Sequence, residues 1–563
     1  MTLYEDITGL VRNVTDGAIH LANQKGELAA SSVPDYLIEE PKDKNFGDFS
    51  VNAAMLMAKQ AKRAPRDIAD ILVSNMDYAD TYIKEVSVAG PGFINFKLDP
   101  AYVTQILSTI EAEKDLFGQT DFGGGKKVNV EFVSANPTGP MHMGNARGGA
   151  LGDCLANILR LAGFDVTKEF YVNDAGNQIE KLAVSLAARY KQALLGEDAV
   201  EFPEDGYHGD DVRKHAESFA KEHGDRFLNV QEEELKAALI DATLYKNIDA
   251  MKDGLSDYGI HYDVWFHESK LHENGDILKT VEELTKRGYT YEQEGAIWFK
   301  ATEFGLEKDD VLVRANGFVT YFAADIAYHK NKLVSRGFDT AIDIWGADHH
   351  GHVARLKAAM QALGIEPGRL EIILMQLVRL VRDGEAVRMS KRTGKAITLG
   401  DLLEEIGVDA ARFFFNMRQA NSHFEFDLEL AVSQSSDNPV FYVQYAHARI
   451  CGIINMLANK GVSVKNCDAL SLTRLTDPKE IDLMKELARF PEEIKLAAVA
   501  RDPSKITKYT MELATAFHGF YSACKVDCED TSLAEARLKL VSATGQVIQN
   551  ALAVLGISAP RHM

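Results

Sequence analysis

The chain has 563 residues, a length that predicts three or four domains, each large enough to bury its own core. Hydrophobic residues make up 46% of the sequence and charged residues 26%, which excludes a disordered or collagen-like protein. The five cysteines are too few for a disulfide-stapled module and are predicted to be reduced thiols. The net charge of −21 arises in the first 430 residues, since residues 431–563 carry 15 Lys/Arg and 14 Asp/Glu. A contact with nucleic acid is therefore easier to place in residues 431–563.

The first ten residues, MTLYEDITGL, contain acidic residues where a signal peptide would contain basic ones. The longest apolar runs, such as LEIILMQLV, reach about ten residues, whereas a transmembrane helix needs about 20. These features predict a cytoplasmic protein with no membrane partner.

Residues 1–118 are predicted to form a separate α+β domain. A helical pattern at the start is followed by the turn NFGDFS and the helical run VNAAMLMAKQAKRA. Two strand patterns, YIKEVSVAG and GFINFKL, then flank the Gly90-Pro91-Gly92 turn. The glycine-rich stretch TDFGGGKK is a predicted linker to the next domain.

Residues 119–395 are predicted to form a parallel α/β domain. KVNVEFVSA is a strand pattern that leads through the loop NPTGP into a helix, and DVTKEFYV is a second strand. TAIDIWGADHHGHVARLKAAMQALG repeats the strand–loop–helix order. The mostly helical, charged stretch between these halves, with the hairpin-like patterns YTYEQEGAIWFK and DDVLVRANGFVTYFA at its end, is interpreted as an insertion at about 182–318.

The remaining sequence turns from strand to helix. EIILMQLVRL predicts a buried strand, and VRDGEAVRMSKRTGKAITLGDLL predicts a basic loop. Residues 396–437 are predicted to connect to an all-α domain at 438–563, interrupted by Pro478, Pro491 and Pro503. The predicted fold class is therefore α/β, with a Rossmann-like parallel-sheet domain split by an insertion, an N-terminal α+β domain and a C-terminal helical bundle.

A phosphate site is predicted in EFVSANPTGPMHMGN, residues 131–145. Its small residues allow a polyphosphate to approach the N-terminus of the following helix, and His142 and Asn145 supply side-chain donors. The chain lacks G-x-x-x-x-G-K-[ST], which excludes a P-loop. Taken alone, HMGN is better explained as a turn with an incidental histidine.

A second motif, RMSKR at 388–392, lies in the glycine-flanked basic loop. Alone it is better explained as a solvated loop, but together HMGN and RMSKR resemble the HIGH and KMSKS signatures of class I aminoacyl-tRNA synthetases. Further segments resemble the arginyl-tRNA synthetase family over essentially the whole chain: NFGDFSVNAAMLMAK, GPGFINF, VEFVSANPTGPMHMGN, YVNDAGNQI, WGADHHGH, NPVFYVQYAHAR and LGISAPRHM.

This resemblance implies ATP-dependent activation of L-arginine to arginyl-adenylate and pyrophosphate. Transfer of arginine to the 3′-terminal adenosine of the tRNA specific for arginine would follow, with activation requiring bound tRNA. ATP with Mg²⁺ would be a substrate complex, without a prosthetic group or a built-in metal site. The resemblance also implies a monomer.

The resemblance further assigns phosphate and nucleotide contacts. His142 and Asn145, which replaces the second histidine of HIGH, would hold phosphates, and Lys391 would close on them in the transition state. The other implied ATP-binding residues are Pro140, Gly144, Gly346, Asp348, His349, His352, Met389, Ser390 and Arg392.

For L-arginine, the resemblance places Glu131, Ser134 and Asn136 near the backbone end of the substrate. Tyr321 and Asp325 would surround the guanidinium, with a buried aromatic residue and a helix N-cap as their alternative roles. Asp174 and Gln178 are expected at the edge of the site.

For tRNA, the resemblance implies contacts from Tyr521 and Met563 in an anticodon-binding domain, although Tyr521 has plain helix packing as an alternative. The N-terminal domain would bind the D-loop corner of the tRNA.

Three other hypotheses remain open. His350 and His352 beside Asp348 could suggest zinc, but the lack of a nearby cysteine argues against a metal. The chain could be a class I ligase for another amino acid such as cysteine, which the missing cysteine cluster disfavours. It could also be an inactive tRNA-binding paralogue, which should have lost His142, Gly144 or Lys391.

Overall fold

The computed structural model describes residues 2–29, 32–41, 43–387 and 397–563. At the N-terminus, an antiparallel sheet of strand order β1-β2-β4-β3 packs against helices, so the two predicted strands YIKEVSVAG and GFINFKL are confirmed as β3 and β4. The predicted turn NFGDFS contributes its last two residues to β2. The elements of this region are α1 Leu3–Gln24, β1 Ile38–Glu39, β2 Phe49–Val51, α2 Ala53–Ala61, α3 Pro65–Ser74, β3 Ile83–Ala89, β4 Phe93–Leu98 and α4 Ala101–Glu113.

The centre of the molecule is a five-stranded sheet of order β12-β11-β5-β6-β7, in which every neighbouring pair is parallel. The strand order reverses between β5 and β11, and each of these strands is followed by a helix, as in Rossmann-like folds. The sheet and its main helices are β5 Lys127–Glu131, α5 Gly144–Leu161, β6 Asp165–Val172, β7 Val264–His267, β11 Thr340–Gly346, α12 His350–Ala362 and β12 Leu370–Met375.

The predicted insertion at 182–318 contains both peripheral and central elements. A helical group buries its own cluster around Leu186, Tyr190 and Leu239, and a small antiparallel sheet of order β10-β9-β8 follows. Strand β7, however, extends the central sheet. The peripheral elements are α6 Asn177–Leu195, α7 Asp210–His223, α8 Glu232–Asp257, α9 Glu268–Glu273, α10 Asp276–Lys286, β8 Thr290–Gln293, β9 Ala296–Phe299 and β10 Asp310–Val313.

The pattern DDVLVRANGFVTYFA does not form a complete hairpin. Only β10 and an isolated bridge between Val313 and Val319 are extended, because Thr320 then caps a helix by accepting a hydrogen bond from the backbone N–H of Ala323. This helix, α11, spans Tyr321–Lys330 and continues as a π-helical turn, Asn331–Ser335.

The run EIILMQLVRL also divides into two strands instead of one. Its first part is β12, whereas β13 belongs to a small sheet of order β14-β13-β15. This part of the chain contains β13 Val378–Arg382, β14 Glu385–Ala386, α13 Leu399–Ile406, α14 Val408–Asn416, β15 Phe424–Asp427 and α15 Leu428–Val432.

The C-terminal region is helical, as predicted. Pro478 and Pro503 lie at helix starts, but the expectation that Pro491 interrupts a helix is wrong, because α18 continues through it. The buried neighbours Leu487, Phe490 and Ile494 hold this turn against the core despite the missing N–H donor. The helices are α16 Pro439–Ala458, α17 Ala469–Leu472, α18 Pro478–Ala500, α19 Ser504–Ala523 and α20 Thr531–Leu555.

The C-terminal end of α20 is fixed to α5 through Arg412, which is fully buried. Arg412 donates from Nε to the carbonyl of Leu555 at 2.8 Å and forms an ion pair with Asp153 of α5. Gly556 follows with a φ of 67°, and a Cβ there would overlap the Arg412 guanidinium. Position 556 therefore requires glycine for both its conformation and its space.

The fold-class prediction is confirmed: an N-terminal α+β region, a Rossmann-like parallel sheet and a C-terminal helical region follow one another. Across the described ranges, none of the helices combines the length and the apolar character needed to cross a bilayer. All five cysteines are unpaired, and Cys154 is buried against α20.

Candidate active site

The carboxyl ends of the parallel strands meet at one edge of the central sheet. Glu131 ends β5, His267 ends β7, Gly346 ends β11, and the loop with Asp174 follows β6. Helix α11 crosses near this edge and brings Tyr321 and Asp325 to it. This edge, next to the point where the strand order reverses, is where ligands bind in open α/β sheets.

Below the edge lies a buried network of charges around Lys332. Lys332 Nζ lies 2.5 Å from Glu131 Oε2 and 2.8 Å from Asp343 Oδ1, and His329 Nε2 lies 2.6 Å from Asp343 Oδ2. Glu131, His329 and Asp343 bring potential metal-ligand atoms within 4.8 Å of one another. Because the Lys332 ammonium already contacts both carboxylates, this group is a salt-bridge network and we assign no metal to it.

The network shifts the pKa values of its members. Burial alone would raise the pKa of Asp343, but Lys332 and His329 outweigh it and lower that pKa to about 2. Burial opposes the charged form of His329, yet the Asp343 carboxylate raises its pKa above the ordinary value. The pKa shifts therefore favour charged forms of Asp343 and His329, whereas burial raises the pKa of Glu131.

Both carboxylate oxygens of Glu131 are hydrogen-bonded. Its Oε1 accepts a hydrogen bond from Ser134 Oγ at 2.8 Å and its Oε2 binds Lys332, and the residue is buried. Ser134 also accepts from the backbone N–H of Tyr171 at 3.2 Å. Val133 and Ser134 have φ values of 71° and 42°, a strained conformation that turns the chain sharply after β5.

The edge residues Asn136, Asp174 and Gln178 form two separate contacts. Asn136 Nδ2 donates to Gln178 Oε1 at 3.3 Å. Asp174 accepts from the backbone N–H of Ser269 at 2.9 Å and lies 2.7 Å from His267 Nδ1, so it fixes the start of α9. The structure thus brings Asn136 and Gln178 together, and it gives Asp174 a role in holding α9.

Tyr321 and Asp325 of α11 lie at the same edge of the sheet, and the space that they border there is called the recess. Tyr321 is 48% exposed, and its hydroxyl is next to Gly176. Asp325 Oδ2 lies 2.7 Å from His352 Nε2. The alternative roles are wrong, because Tyr321 is not buried and Thr320, not Asp325, is the N-cap of α11.

Glu268, the first residue of α9, is a site residue that sequence reasoning missed. It is 3% exposed, and burial raises the pKa of its carboxyl. The negative charge of nearby Asp325 raises this pKa further, whereas hydrogen bonds from Tyr171 and His272 lower it. Within the described ranges, no lysine or arginine lies at ion-pair distance from it. The strand pattern VWFH lies just before Glu268. Placing that strand in the central sheet would have put Glu268 at the edge where the site lies.

The HMGN motif spans the start of α5, which begins at Gly144, and is closed by hydrogen bonds. His142 Nδ1 accepts from the backbone N–H of Gly144 at 3.2 Å, and Asn145 Oδ1 accepts from the backbone N–H of His142 at 3.1 Å. Met143 N–H donates to the carbonyl of Ile397 at 3.0 Å. Ile397, which follows RMSKR in the sequence by five residues, is therefore hydrogen-bonded to HMGN, and Pro140 and Gly144 lie close in sequence to this contact.

Four predicted nucleotide-binding residues, Met389, Ser390, Lys391 and Arg392, lie outside the described residues. In WGADHHGH, a Cβ at Gly346 would meet only the carboxylate end of the exposed Asp348 side chain. Asp348 and His349 have side chains 78% and 62% exposed, 3.5 Å apart. His352, by contrast, points to Asp325.

The two predicted tRNA-binding residues both lie near α16. Arg449 of α16 places its guanidinium 4.5 Å from the centre of the Tyr521 ring, and Tyr521 is partly buried. Met563 is 54% exposed and lines a shallow cavity with Phe441 and Gln444 of α16.

Three family models match consecutive parts of the chain. Residues 13–98 match the arginyl tRNA synthetase N terminal domain, residues 103–436 match the catalytic domain of tRNA synthetases class I (R), and residues 443–563 match the DALR anticodon binding domain.

The chain is also similar to individual proteins over its whole length. It is 53% identical to the arginine–tRNA ligase of Acetivibrio thermocellus, covering 99% of each chain, and 55% identical to that of Caldanaerobacter subterraneus subsp. tengcongensis, covering 98% of each. The structure of Thermus thermophilus arginyl-tRNA synthetase superposes with a TM-score of 0.72 at 21% identity, covering 98% of this chain and 100% of the other. That last similarity establishes a shared fold.

Proposed function

Because the chain belongs to the arginyl-tRNA synthetase family of class I synthetases, we propose that its candidate site joins L-arginine to ATP and then to tRNA. The first step gives arginyl-adenylate and pyrophosphate. The second step transfers arginine to the 3′-terminal adenosine of the tRNA specific for arginine.

The observation that carries this proposal is the buried carboxylate of Glu268 beside Asp325. Burying an anion without a lysine or arginine partner is costly: the contacts of Tyr171 and His272 do not offset the burial of Glu268, and the nearby Asp325 carboxylate adds to the cost. A planar guanidinium with five N–H donors would relieve it by binding both carboxylates, with Tyr321 at the rim. Lysine offers a single compact ammonium and citrulline offers no charge, so both would leave the recess poorly paired.

For the nucleotide, we propose that phosphates lie at the N-terminus of α5, beside His142, Gly144 and Asn145. Backbone N–H groups and the helix dipole favour anions there. The carboxylate of arginine must attack the α-phosphorus in line, so the site has to hold two anions close together and stabilise charge on the leaving pyrophosphate. Lys391 is proposed to supply that charge, and Mg²⁺ accompanies ATP as part of the substrate.

The nucleoside end of ATP is proposed to lie against the end of β11. Gly346 permits close approach there, and the exposed side chains of Asp348 and His349 supply polar groups. Pro140, Met389, Ser390 and Arg392 complete the proposed ATP site, and Glu131, Ser134 and Asn136 receive the backbone end of arginine.

For tRNA, the helices from α16 onward are proposed to bind the anticodon, with Tyr521 stacking on a base and Met563 at its edge. The match of residues 443–563 to an anticodon binding domain supports this placement. The N-terminal domain is proposed to bind the D-loop corner, and activation is proposed to require bound tRNA. We propose a cytoplasmic monomer.

The experiment is pyrophosphate exchange with arginine and ATP, with and without tRNA for arginine, and with lysine and cysteine as control amino acids. We expect exchange with arginine and tRNA together. Exchange with arginine alone would overturn the proposed requirement for tRNA. Exchange with cysteine would overturn the assignment of arginine as the substrate. No exchange and no charging of tRNA would favour the inactive tRNA-binding paralogue.

A further inference from the structure

The predicted ATP-binding residue His352 belongs to a line of side chains that ends on Asp325. His352 Nε2 lies 2.7 Å from Asp325 Oδ2, and its other nitrogen, Nδ1, lies 2.5 Å from Arg355 Nε. Arg355 Nη1 in turn lies 3.1 Å from Asp310 Oδ1. These four side chains, from β10, α12 and α11, thus form a continuous chain of hydrogen bonds that ends at the recess.

The donors and acceptors in this line define the tautomer of the imidazole. An arginine Nε always carries a hydrogen, so His352 Nδ1 must accept from Arg355. His352 Nε2 must then carry the ring hydrogen and donate it to Asp325. In this arrangement the imidazole carries one ring hydrogen and donates it to Asp325.

Aromatic neighbours fix the plane of the ring. The Trp345 ring stacks on His352 with centroids 5.5 Å apart and an angle of 29°, and the edge of Phe322 meets it at 5.7 Å and 74°. Arg355 also lies 5.1 Å from the centre of the Phe322 ring. With only 13% of its side chain exposed, His352 cannot rotate without losing both hydrogen bonds.

We propose that His352 and Arg355 are positioning residues for arginine recognition and that His352 does not bind ATP. Both ring nitrogens of His352 are engaged, one by Arg355 and one by Asp325, so no ring nitrogen remains for the nucleotide. Arg355 sets the tautomer, and His352 holds Oδ2 of Asp325 so that the carboxylate is oriented before the guanidinium arrives. This inference rests on the proposed function, in which Asp325 binds that guanidinium.

The test measures KM for arginine and KM for ATP separately, at saturating tRNA, in His352→Leu, His352→Gln and Arg355→Leu. We expect His352→Leu to raise KM for arginine about tenfold with KM for ATP nearly unchanged. His352→Gln should recover most of that loss, because its amide can still donate to Asp325. Arg355→Leu should raise KM for arginine by a smaller factor.

The matched control is His350→Gln, since His350 is exposed in the same first turn of α12. A rise in KM for ATP with His352→Leu would overturn the proposal in favour of nucleotide binding. Equal losses for both substrates, or no rescue by glutamine, would also overturn it, because a general structural role would behave in that way.

Asp325→Asn separates this proposal from the proposed function. If the wild-type protein activates arginine and Asp325→Asn raises KM for arginine but His352→Leu does not, only the positioning role fails. If the wild-type protein does not activate arginine at all, the proposed function fails first.

Discussion

Glu131 and Lys332 are 201 residues apart in sequence, and they form a buried ion pair in which Nζ lies 2.5 Å from Oε2. The same ammonium contacts Asp343, so one lysine joins the end of β5 to the middle of β11, at the point where the strand order reverses. The π-helical turn after α11 places Lys332 there.

Lys332→Met should destabilise the protein by about 3–5 kcal/mol, because it removes the cation that pairs with buried Glu131 and leaves Asp343 with His329 alone. The measurement is urea unfolding followed by circular dichroism. Lys330→Met is the control: Lys330 pairs with Glu283 in a partly exposed position, and its loss should cost less than about 1 kcal/mol. Equal effects of the two variants would mean that the buried network contributes little.

His329→Gln should have a pH-dependent effect. The pKa of His329 is raised by Asp343 in the folded protein, so its contribution to stability is complete below the ordinary histidine pKa and is lost as the pH rises through the raised value. The variant should therefore be less stable than the wild type by a larger margin at pH 6 than at pH 9. Thermal unfolding midpoints at the two pH values test this, with exposed His20→Gln as the control, and a constant margin would contradict it.

Glu268→Gln should raise KM for arginine about tenfold or more, because a charge-assisted contact with the guanidinium becomes a neutral one. KM for ATP should change little. Steady-state aminoacylation measures both values, and exposed Glu273→Gln at the other end of α9 controls for the loss of a negative charge. An unchanged KM for arginine would place the guanidinium elsewhere.

Gly152→Ala and Gly452→Ala should shift stability in opposite directions. A Cβ at Gly152 of α5 would overlap the buried Phe132 ring, so overpacking should cost about 1–3 kcal/mol. Gly452 lies in α16 with open space at that position, and alanine there should stabilise the helix by up to about 1 kcal/mol. Denaturant midpoints of both variants test this, and destabilisation by Gly452→Ala would indicate a contact that the structure lacks.

The sequence predicted the features that depend on local patterns. Strand β6 was delimited correctly because apolar residues and β-formers run from Asp165 to Val172 between two clear breaks. The helical C-terminal region followed from periodicity. The prediction that Pro491 interrupts a helix is wrong because burial of the surrounding turn, a tertiary effect, outweighs the local tendency of proline to break helices.

The parts of the site that depend on long-range packing were harder to predict. The four residues of β7 are too short to reveal a parallel partner, so Glu268 at its end remained hidden inside a predicted insertion. The family resemblance implies that His352 binds ATP, but only the placement of α11 beside α12 shows its hydrogen bond to Asp325. Pairings across distant segments leave no periodic signal in one sequence.

The anchoring of α20 by Arg412 affects how this protein could be rebuilt by exchange of parts. In a hybrid whose last 120 or so residues come from a relative, positions 555 and 556 would come from that relative. Arg412 and Asp153, which they contact or face, would come from this protein. A mismatch would disturb the contact between the end of α20 and α5, the helix that begins within HMGN. Functional hybrids should therefore exchange these four positions together, whatever boundary is chosen for the crossover.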